Sequence, residues 1–350
     1  MSKEKRLTSL PISHMALEAA EAPAAVARLL AAEAPAFQAL GADLRARPPG
    51  SILTVARGSS DHAAHYMAYL VMARLGRLVT SLPMSLVTLY GSHIQAEELL
   101  AVAFSQSGQS PDLVVPLRDV GLRGARTVAF VNEPGSPLAA AAGRAIALHA
   151  GPERSVAATK SFICQLACGA ALAAAWQGDS AFVRALGTLP AALQAAAQLD
   201  WADAVQALAG ADRLYVIGRG TGLAMAMEAA LKFKEVCGIH AEAYSGAEVR
   251  HGPLALVDEG FPVLVLAPRG PAQPGLLQLA HELQARGARV LLAAPPGTPG
   301  ALIHLVASGH EDLDPIAIAP CFYRMVEALA RARGRDPDHP PHLQKVTRTQ

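Results

Sequence analysis

The apolar residues of this chain fall into short continuous runs separated by longer amphipathic stretches. Continuous apolar runs are typical of strands buried on both faces, and their alternation with helical stretches is typical of a parallel sheet covered by helices. An amphipathic helix is predicted over residues 15–46. In the first half we predict strands at 52–56, 78–82, 99–104, 127–131 and 145–148. In the second half we predict strands at 214–217, 240–243, 262–267, 289–293 and 302–306.

The two halves also repeat each other in sequence. The first predicted strand ends in Thr54-Val-Ala-Arg-Gly-Ser-Ser60, and its counterpart ends in Tyr215-Val-Ile-Gly-Arg-Gly-Thr-Gly222. Both place a glycine-containing turn between strand and helix, where a doubly wound sheet binds its ligands. We therefore predict an α/β fold with two flavodoxin-like domains, each a five-stranded parallel sheet sandwiched by helices. The predicted boundaries are an N-terminal helical segment at 1–46, domains at 47–190 and 191–336, and a tail at 337–350.

Composition and charge narrow the classes of ligand. The chain has 350 residues, 52% of them hydrophobic and 17% charged, with a net charge of +1. This nearly neutral balance provides no excess of positive charge that could bind a nucleic acid or an anionic membrane. An anionic ligand should therefore be small and locally recognised. The first residues lack the apolar core of a signal peptide, which predicts a cytoplasmic protein. The apolar stretch 162–176 is too short and too rich in alanine for a membrane span, and we expect a buried helix.

Cysteine spacing points to reduced thiols. Cys164 and Cys168 lie four residues apart without a matching second pair, while Cys237 and Cys321 stand alone. Neither a zinc site nor a disulfide framework is indicated. No metal and no cofactor is predicted.

A hydroxyl-rich loop follows the third predicted strand. Residues 104–111 read Phe-Ser-Gln-Ser-Gly-Gln-Ser-Pro, so that hydroxyls, an amide and a glycine leave the end of a buried strand. Such a loop can bind phosphate, because it directs backbone N–H groups and hydroxyls at one point. The alternative is a turn that caps a helix, with Ser110 as N-cap and Pro111 in the first turn. The corresponding loop of the second half, 267–273, has no hydroxyls, so one phosphate site is expected.

Charged residues mark a predicted helix at 222–238. Glu228, Lys232 and Glu235 are spaced i, i+4, i+7 and share one face. The charge pattern alone favours an ordinary solvent-exposed stripe of ion pairs over a catalytic group. The following stretch, 240–253, combines histidines and glutamates with Gly-Pro, a composition more typical of a site than of a linker.

Several motifs together resemble a known family. They are Ser105-Gln-Ser-Gly108, Ala229-Ala-Leu-Lys-Phe-Lys-Glu235, His240-Ala-Glu-Ala-Tyr244, Arg250-His-Gly-Pro-Leu-Ala-Leu256 and Leu343-Gln-Lys345. In this order they resemble the isomerase part of glucosamine-6-phosphate synthase, a pair of sugar isomerase (SIS) domains. The turn Arg57-Gly-Ser-Ser-Asp-His62 and the segment Glu153-Arg-Ser-Val-Ala-Ala-Thr-Lys160 resemble the standalone SIS-fold glucosamine-6-phosphate deaminases.

The resemblance implies roles for individual residues. Glu235 would move a proton between C1 and C2 of the sugar, assisted by Lys232. His251 would open the pyranose ring from the other subunit of a homodimer, and Lys345 would form a Schiff base with the ketose. An imine-forming lysine must be partly neutral, so burial or a cationic neighbour is expected there.

The resemblance also implies the residues that bind substrate. Phosphate would be held by Ser60, Ser105, Gln106, Ser107 and Ser110. Candidate sugar contacts are Arg57, Gly58, Val156 and Glu228. Arg57 replaces a cysteine of the synthases, Ala158 a serine, and Gln109-Ser110 a Glu-Thr pair, which leaves the gluco or galacto configuration of the substrate open.

The implied activity is conversion of glucosamine 6-phosphate to fructose 6-phosphate and ammonia. About fifty residues precede the first predicted strand, and Ser follows Met1, so we expect no glutaminase domain of the kind that begins the synthases. Without its ammonia supply, catabolic deamination is the expected direction. The alternatives are another amino-sugar or ketose phosphate isomerase or deglycase, such as a galactosamine-6-phosphate deaminase, and a non-catalytic sugar-phosphate sensor.

Overall fold

Two parallel sheets with the same strand order form the framework. The computed structural model describes residues 12–345, so the predictions for residues 1–11 and for the last five residues of the tail lie outside the described part. The first sheet contains β1 (Ser51–Val55), β2 (Val79–Ser81), β3 (Leu99–Ser105), β4 (Arg126–Val131) and β5 (Arg144–Ala147). The second contains β6 (Arg213–Gly218), β7 (His240–Ser245), β8 (Pro262–Leu266), β9 (Arg289–Ala294) and β10 (Ile303–His304).

Strand order fixes where each sheet can bind a ligand. The orders are β2-β1-β3-β4-β5 and β7-β6-β8-β9-β10, and every pairing is parallel. The connections reverse direction between β1 and β3 in one sheet, and between β6 and β8 in the other. A doubly wound sheet opens a crevice at this reversal, beyond the carboxyl ends of its strands.

Helices cover both sheets. The longer ones are α1 (His14–Ala46), α2 (Ser59–Leu75), α4 (Pro111–Leu122), α6 (Lys160–Gln177), α10 (Leu223–Lys232), α11 (Gln273–Ala285) and α12 (Asp314–Ala332). The shorter ones are α3 (Ser85–Thr88), α5 (Pro137–Ala141), α7 (Ser180–Gly187), α8 (Leu189–Ala196) and α9 (Ala202–Leu208). No helix within residues 12–345 is long and apolar enough to cross a membrane.

All ten predicted strands and the predicted first helix are confirmed. β2 and β10, each at one edge of its sheet, are shorter than predicted, with three and two residues. The predicted buried helix at 162–176 is also confirmed as α6, which packs along α1. Their backbones approach so closely that a Cβ on Gly41 would lie 2.4 Å from the carbonyl oxygen of Ala175.

One hydrophobic core joins the two halves. It includes apolar residues of α1, α2 and α6 from the first half and of α10 and α12 from the second. Since α2 and α10 are in contact within it, the helices that follow β1 and β6 lie against each other. The beginning of the first domain's α2 is thereby placed beside the charged face of α10.

The four cysteines are free and buried. Burial raises the pKa of the Cys237 and Cys321 thiols to about 12, so both are protonated at neutral pH. Within residues 12–345, no group of histidine, cysteine and acidic side chains is arranged to hold a metal ion.

Candidate active site

The hydroxyl-rich loop connects β3 to α4 at the reversal point of the first sheet. The Ser105 hydroxyl accepts a hydrogen bond from the backbone N–H of Gly108 at 2.9 Å, and the Ser107 hydroxyl accepts one from Gln109 at 3.3 Å. Ser110 precedes the first turn of α4 in an extended conformation, and Pro111 begins the helix. The predicted N-cap position of Ser110 is therefore confirmed, and Ser110 lies at the end of the hydroxyl-rich loop.

Gly108 is the residue on which the shape of this loop depends. Its φ is +62°, and a Cβ built there would lie 2.1 Å from the Ser136 hydroxyl and 2.8 Å from a Val131 methyl group. A side chain would therefore combine left-handed strain with a clash against a buried neighbour.

We expect Gly108→Ala to raise the KM for a sugar phosphate by roughly tenfold or more, because strain of about 1–2 kcal/mol and the clash displace the hydroxyl-rich loop. Gly135→Ala is the matched control, since a Cβ there meets nothing within 4 Å. Steady-state kinetics of both variants checks the prediction. Equal KM values for the two would contradict it.

A cavity of about 270 Å³ opens in front of the loop. It brings together all five residues predicted to hold phosphate, along with Arg57, Gly58 and Lys345. Its lining residues are Arg57, Gly58, Ser60, Ser105, Gln106, Ser107, Ser110, Asp112, Leu113 and Lys345. Residues of the first turn and of the loop thus face the same space as Lys345, which lies more than 200 positions further along the chain.

Two of the lining residues are held by neighbouring side chains. The Ser60 hydroxyl accepts a hydrogen bond from the buried Gln165 amide at 3.0 Å. The Arg57 guanidinium donates to Asp112 at 3.1 Å, while more than half of its side chain remains exposed. Arg57 is therefore positioned at the cavity wall with donors left for a ligand.

Lys345 carries the tail into this cavity. Its ammonium group donates to Glu153 at 3.0 Å and to the Ser155 carbonyl at 2.7 Å. Val156 is one residue further on, and its N–H donates to the carbonyl of Asp338, so this segment binds the tail at two points. In this conformation the charged neighbour of Lys345 is a carboxylate rather than a cation, and the Lys345 side chain is largely buried, at 26% exposed.

Glu153 itself is fully buried. Burial alone would raise the pKa of its carboxyl, but the Lys345 charge and hydrogen bonds from Ser161 and Thr159 outweigh burial and hold that pKa below its usual value. The carboxylate is therefore charged at neutral pH and attracts the tail.

The charged face of the predicted catalytic helix is buried at one end. Glu228 is 0% exposed and Lys232 is 1% exposed, with 3.4 Å between the carboxylate and the ammonium group. The sequence pattern alone favours a solvent-exposed stripe, and that interpretation is wrong. The Lys232 ammonium also donates to Glu235 at 2.5 Å, and the Glu235 side chain remains 22% exposed.

Helical geometry changes at this point. The α-helix ends at Lys232 and continues as one π-helical turn, Phe233–Cys237, which Gly238 closes in the left-handed conformation. The predicted end of this helix at Gly238 is confirmed, whereas the π turn was not predicted. Single π turns are frequent at functional sites, and this one carries Glu235.

Residues from α2 and α12 complete the network around Glu228. Its carboxylate accepts hydrogen bonds from Ser59 at 3.1 Å and from Tyr323 at 2.9 Å, and it lies 3.0 Å from a ring nitrogen of His62. Burial would raise the pKa of Glu228, but Lys232 and these hydrogen bonds lower it to about 2. Glu228 was predicted as a sugar contact, yet it has no exposed surface and supports the site from within.

The pKa of Lys232 responds in the opposite sense. Burial alone would lower it, but the carboxylates of Glu228 and Glu235 raise it above its usual value. Its ammonium group donates to Ser59 at 3.1 Å, and Ser60, the next residue, lines the cavity. The cavity wall is therefore linked to Glu235 through Ser60, its sequence neighbour Ser59 and the hydrogen bonds of Lys232.

His251 is not part of this assembly within one chain. It is exposed at the end of a short 3-10 turn, Glu248–Arg250, and within residues 12–345 no hydrogen bond or ion pair joins its side chain to the other predicted catalytic residues. The structure of one chain thus brings together Glu235, Lys232 and the cavity, and leaves His251 on the surface.

Sequence reasoning missed four residues of the site. Ser59 and His62 stand inside the quoted turn at 57–62, and Glu153 begins the quoted segment at 153–160, so the motifs contained a signal for them. Tyr323 had none, because it reaches Glu228 from a helix 95 residues further along the chain.

Comparisons with known proteins agree with this geometry. The SIS domain model matches residues 47–175 and 207–294. The chain is 39% identical over 319 residues to a glutamine–fructose-6-phosphate aminotransferase (isomerizing) of Aeropyrum pernix, and the match covers 85% of this chain and 51% of that protein. The chain thus spans about half the length of the curated relatives it matches.

Two solved structures share the whole fold. One is described as a "putative phosphosugar isomerase" from Silicibacter pomeroyi, with a TM-score of 0.88, 44% identity, and coverage of 93% of this chain and 100% of that one. The other is the C-terminal domain of glucosamine-fructose-6-phosphate aminotransferase from Francisella tularensis, with a TM-score of 0.85, 25% identity, and coverage of 97% and 100%. The chain belongs to the SIS family of phosphosugar isomerases and is homologous to the isomerase domain of the glutamine–fructose-6-phosphate aminotransferases.

Proposed function

We propose that this chain is an isomerising deaminase that converts glucosamine 6-phosphate to fructose 6-phosphate and ammonia. One observation carries the proposal: a single cavity contains the hydroxyl loop and the Lys345 amine, and its Ser60 wall adjoins the hydrogen-bonded chain Ser59–Lys232–Glu235. An anchor for phosphate, an amine and a carboxylate supported by a second amine are the groups that this reaction needs.

The hydroxyl loop would hold the unreactive end of the substrate. If three of its hydroxyl or amide groups make charge-assisted hydrogen bonds of about 1.5–3 kcal/mol each, the gross gain is roughly 5–9 kcal/mol before the costs of association. Such binding energy, far from the reacting carbons, positions C1 and C2 for the chemical steps.

Glu235 would carry the proton between C1 and C2. Its partly exposed carboxylate can face a substrate, while Lys232 fixes it through the 2.5 Å contact. Because Lys232 stays charged between two carboxylates, it can also stabilise negative charge that develops on the substrate oxygen.

Lys345 would form the imine with the open-chain ketose. To do so it must leave its ion pair with Glu153, at 3.0 Å, and lose a proton to solvent, and the carbonyl oxygen of the ketose leaves as water when the C=N bond forms. The resting contact with Glu153 therefore holds the amine at the cavity.

His251 would act on the ring oxygen from a second subunit, which explains its exposure in one chain. Mixing two inactive variants, His251→Ala and Glu235→Gln, is expected to give mixed dimers with about half the activity of the wild-type dimer, because one of the two shared sites then has both groups intact. Heterodimers isolated with two affinity tags, assayed for fructose 6-phosphate, check this. Demonstrated heterodimers without recovered activity would contradict a shared site.

The direction follows from the chemistry of the isolated chain in water. Ammonium predominates over ammonia at neutral pH, so synthesis from free ammonia is unfavourable, whereas hydrolysis of the imine needs only water. Incubation of the purified protein with glucosamine 6-phosphate should release ammonia and fructose 6-phosphate in equal amounts. Absence of both products would overturn the proposal.

The exposed guanidinium of Arg57 supports testing a second substrate. It lines the cavity where the motif of the synthases has another residue type, so galactosamine 6-phosphate belongs in the same assay. Faster turnover of this epimer would assign the alternative deaminase activity. A sensor without turnover is disfavoured, since ligand binding alone gives no use for the Lys232–Glu235 contact.

A further inference from the structure

A second cavity lies at the reversal point of the second sheet. It measures about 410 Å³ and occupies the position between β6 and β8 that corresponds to the first cavity between β1 and β3. Arg219, Gly220 and Thr221 line it, as Arg57 and Gly58 line the first cavity. The two glycines both have a positive φ, +64° at Gly220 and +53° at Gly58.

The chemistry of this second cavity differs from that of the first. In place of the hydroxyl loop, the segment after β8 contributes Arg269, whose guanidinium is held by Asp314 at 2.7 and 2.8 Å and by the Ser308 carbonyl at 2.7 Å. Arg219 is exposed, and its guanidinium makes no hydrogen bond or ion pair with residues 12–345. One oriented and one unengaged guanidinium thus face the same space, an arrangement suited to phosphate.

Two acidic residues and a tyrosine also line this cavity. Asp312 is neutralised by Arg74 at 2.6 Å, whereas Glu311 is exposed and, although it attracts Arg269 electrostatically, forms no ion pair with a described residue. Tyr69, which is 39% exposed, reaches the cavity from α2. The cavity therefore offers the Glu311 carboxylate to a cationic group and the Tyr69 ring to an apolar surface.

We propose that this cavity is a second binding site for an amino-sugar phosphate. The phosphate would bind Arg219 and Arg269, the sugar ring would lie against Tyr69, and the ammonium group would pair with Glu311. A ligand that carries both a phosphate and an ammonium group can pair with the Arg219 guanidinium and with the Glu311 carboxylate. A simple anion can pair only with the guanidinium. The proposal concerns binding and does not depend on turnover at the first cavity.

Both cavities can be filled at once. Ser60 in the first and Tyr69 in the second are nine residues apart on α2, which corresponds to about 14 Å along the helix. This distance exceeds the length of one hexosamine phosphate, so the sites accept separate molecules.

Isothermal titration of the full chain with glucosamine 6-phosphate tests the proposal, using Glu235→Gln as the background so that turnover does not interfere. Two binding events per chain are expected. Adding Arg219→Gln, or separately Glu311→Gln, should weaken one event at least tenfold and leave the other unchanged. Adding Ser107→Ala should weaken the other event. Arg286→Gln, at an exposed arginine just after the end of α11, is the matched control and should change neither.

Three results would overturn the proposal. They are a single event per chain, two events that are both insensitive to Arg219→Gln and Glu311→Gln, and fructose 6-phosphate binding at the Arg219-dependent site as tightly as the amino sugar. The proposed function fails separately, through absence of ammonia release from the wild-type protein. The count of binding events then still decides whether the second site exists.

Discussion

Replacing Glu235 by glutamine is expected to lower kcat with glucosamine 6-phosphate by roughly 10²–10⁴-fold, the usual contribution of a positioned general base. The amide has the same shape and can still accept the hydrogen bond that Lys232 donates, but it cannot take a proton from carbon. Because Glu235 lies outside the lining of the phosphate cavity, the binding of sugar phosphate should remain nearly unchanged.

Two measurements separate the role of Glu235 in proton transfer from a structural one. The dissociation constant for fructose 6-phosphate, measured by calorimetry, should stay within about threefold of wild type, which corresponds to less than 1 kcal/mol. Glu259→Gln, at an exposed glutamate in the loop before β8, is the control and should keep full turnover. Normal turnover in Glu235→Gln would remove the assignment of the base.

Glu228→Ala is expected to destabilise the folded chain by about 3–5 kcal/mol, the cost of removing one partner of a buried ion pair. The change leaves the buried ammonium group of Lys232 with Glu235 as its remaining charged neighbour and deprives the Tyr323 hydroxyl of its acceptor. Chemical denaturation measures the loss. Asp258→Ala, which removes an exposed pair with Arg213, is the control and should cost about 0–1 kcal/mol.

The same pair has a signature in the pH dependence of stability. The pKa of Glu228 is depressed to about 2 in the folded chain, so its contribution is present above its unfolded value and is lost as the pH falls through the folded value. The pKa of Lys232 is raised, so its contribution is lost only as the pH rises through that folded value. In Glu228→Ala the loss of stability between about pH 5 and pH 2 should therefore be shallower than in wild type. An unchanged slope would contradict the depressed pKa.

The sequence predicted the elements of the fold well because their signals are local. Each central strand is a continuous apolar run, and the alanine-rich stretch at 162–176 could satisfy its backbone only as a buried helix. The limits of β2 and β10 and the π turn at 233–237 were less well predicted, since they depend on pairing with the neighbouring strand and on the packing of α10 against α12.

The residues of the candidate site also divide into those that the sequence predicted and those that it did not. The hydroxyl loop was predictable because its residues are contiguous and follow a strand. The partner of Lys345 was not, because nothing in the tail indicates that it meets the carboxylate of Glu153, 192 residues earlier. Likewise, the loop at 267–273 gave no reason to expect the second cavity. The charged groups of that cavity are Arg269 from this loop and residues from other elements.

By itself, the sequence determined that the protein has two parallel sheets, where the turns at their reversal points lie, and which residue types those turns present. The spacing of Glu228, Lys232 and Glu235 also placed them on one helical face. Only the tertiary structure decided that part of this face is buried, because Ser59 and Tyr323 come from helices that are distant in the chain. Burial is a property of packing between elements, and it turned an ordinary pattern of ion pairs into a rigid support for one partly exposed carboxylate.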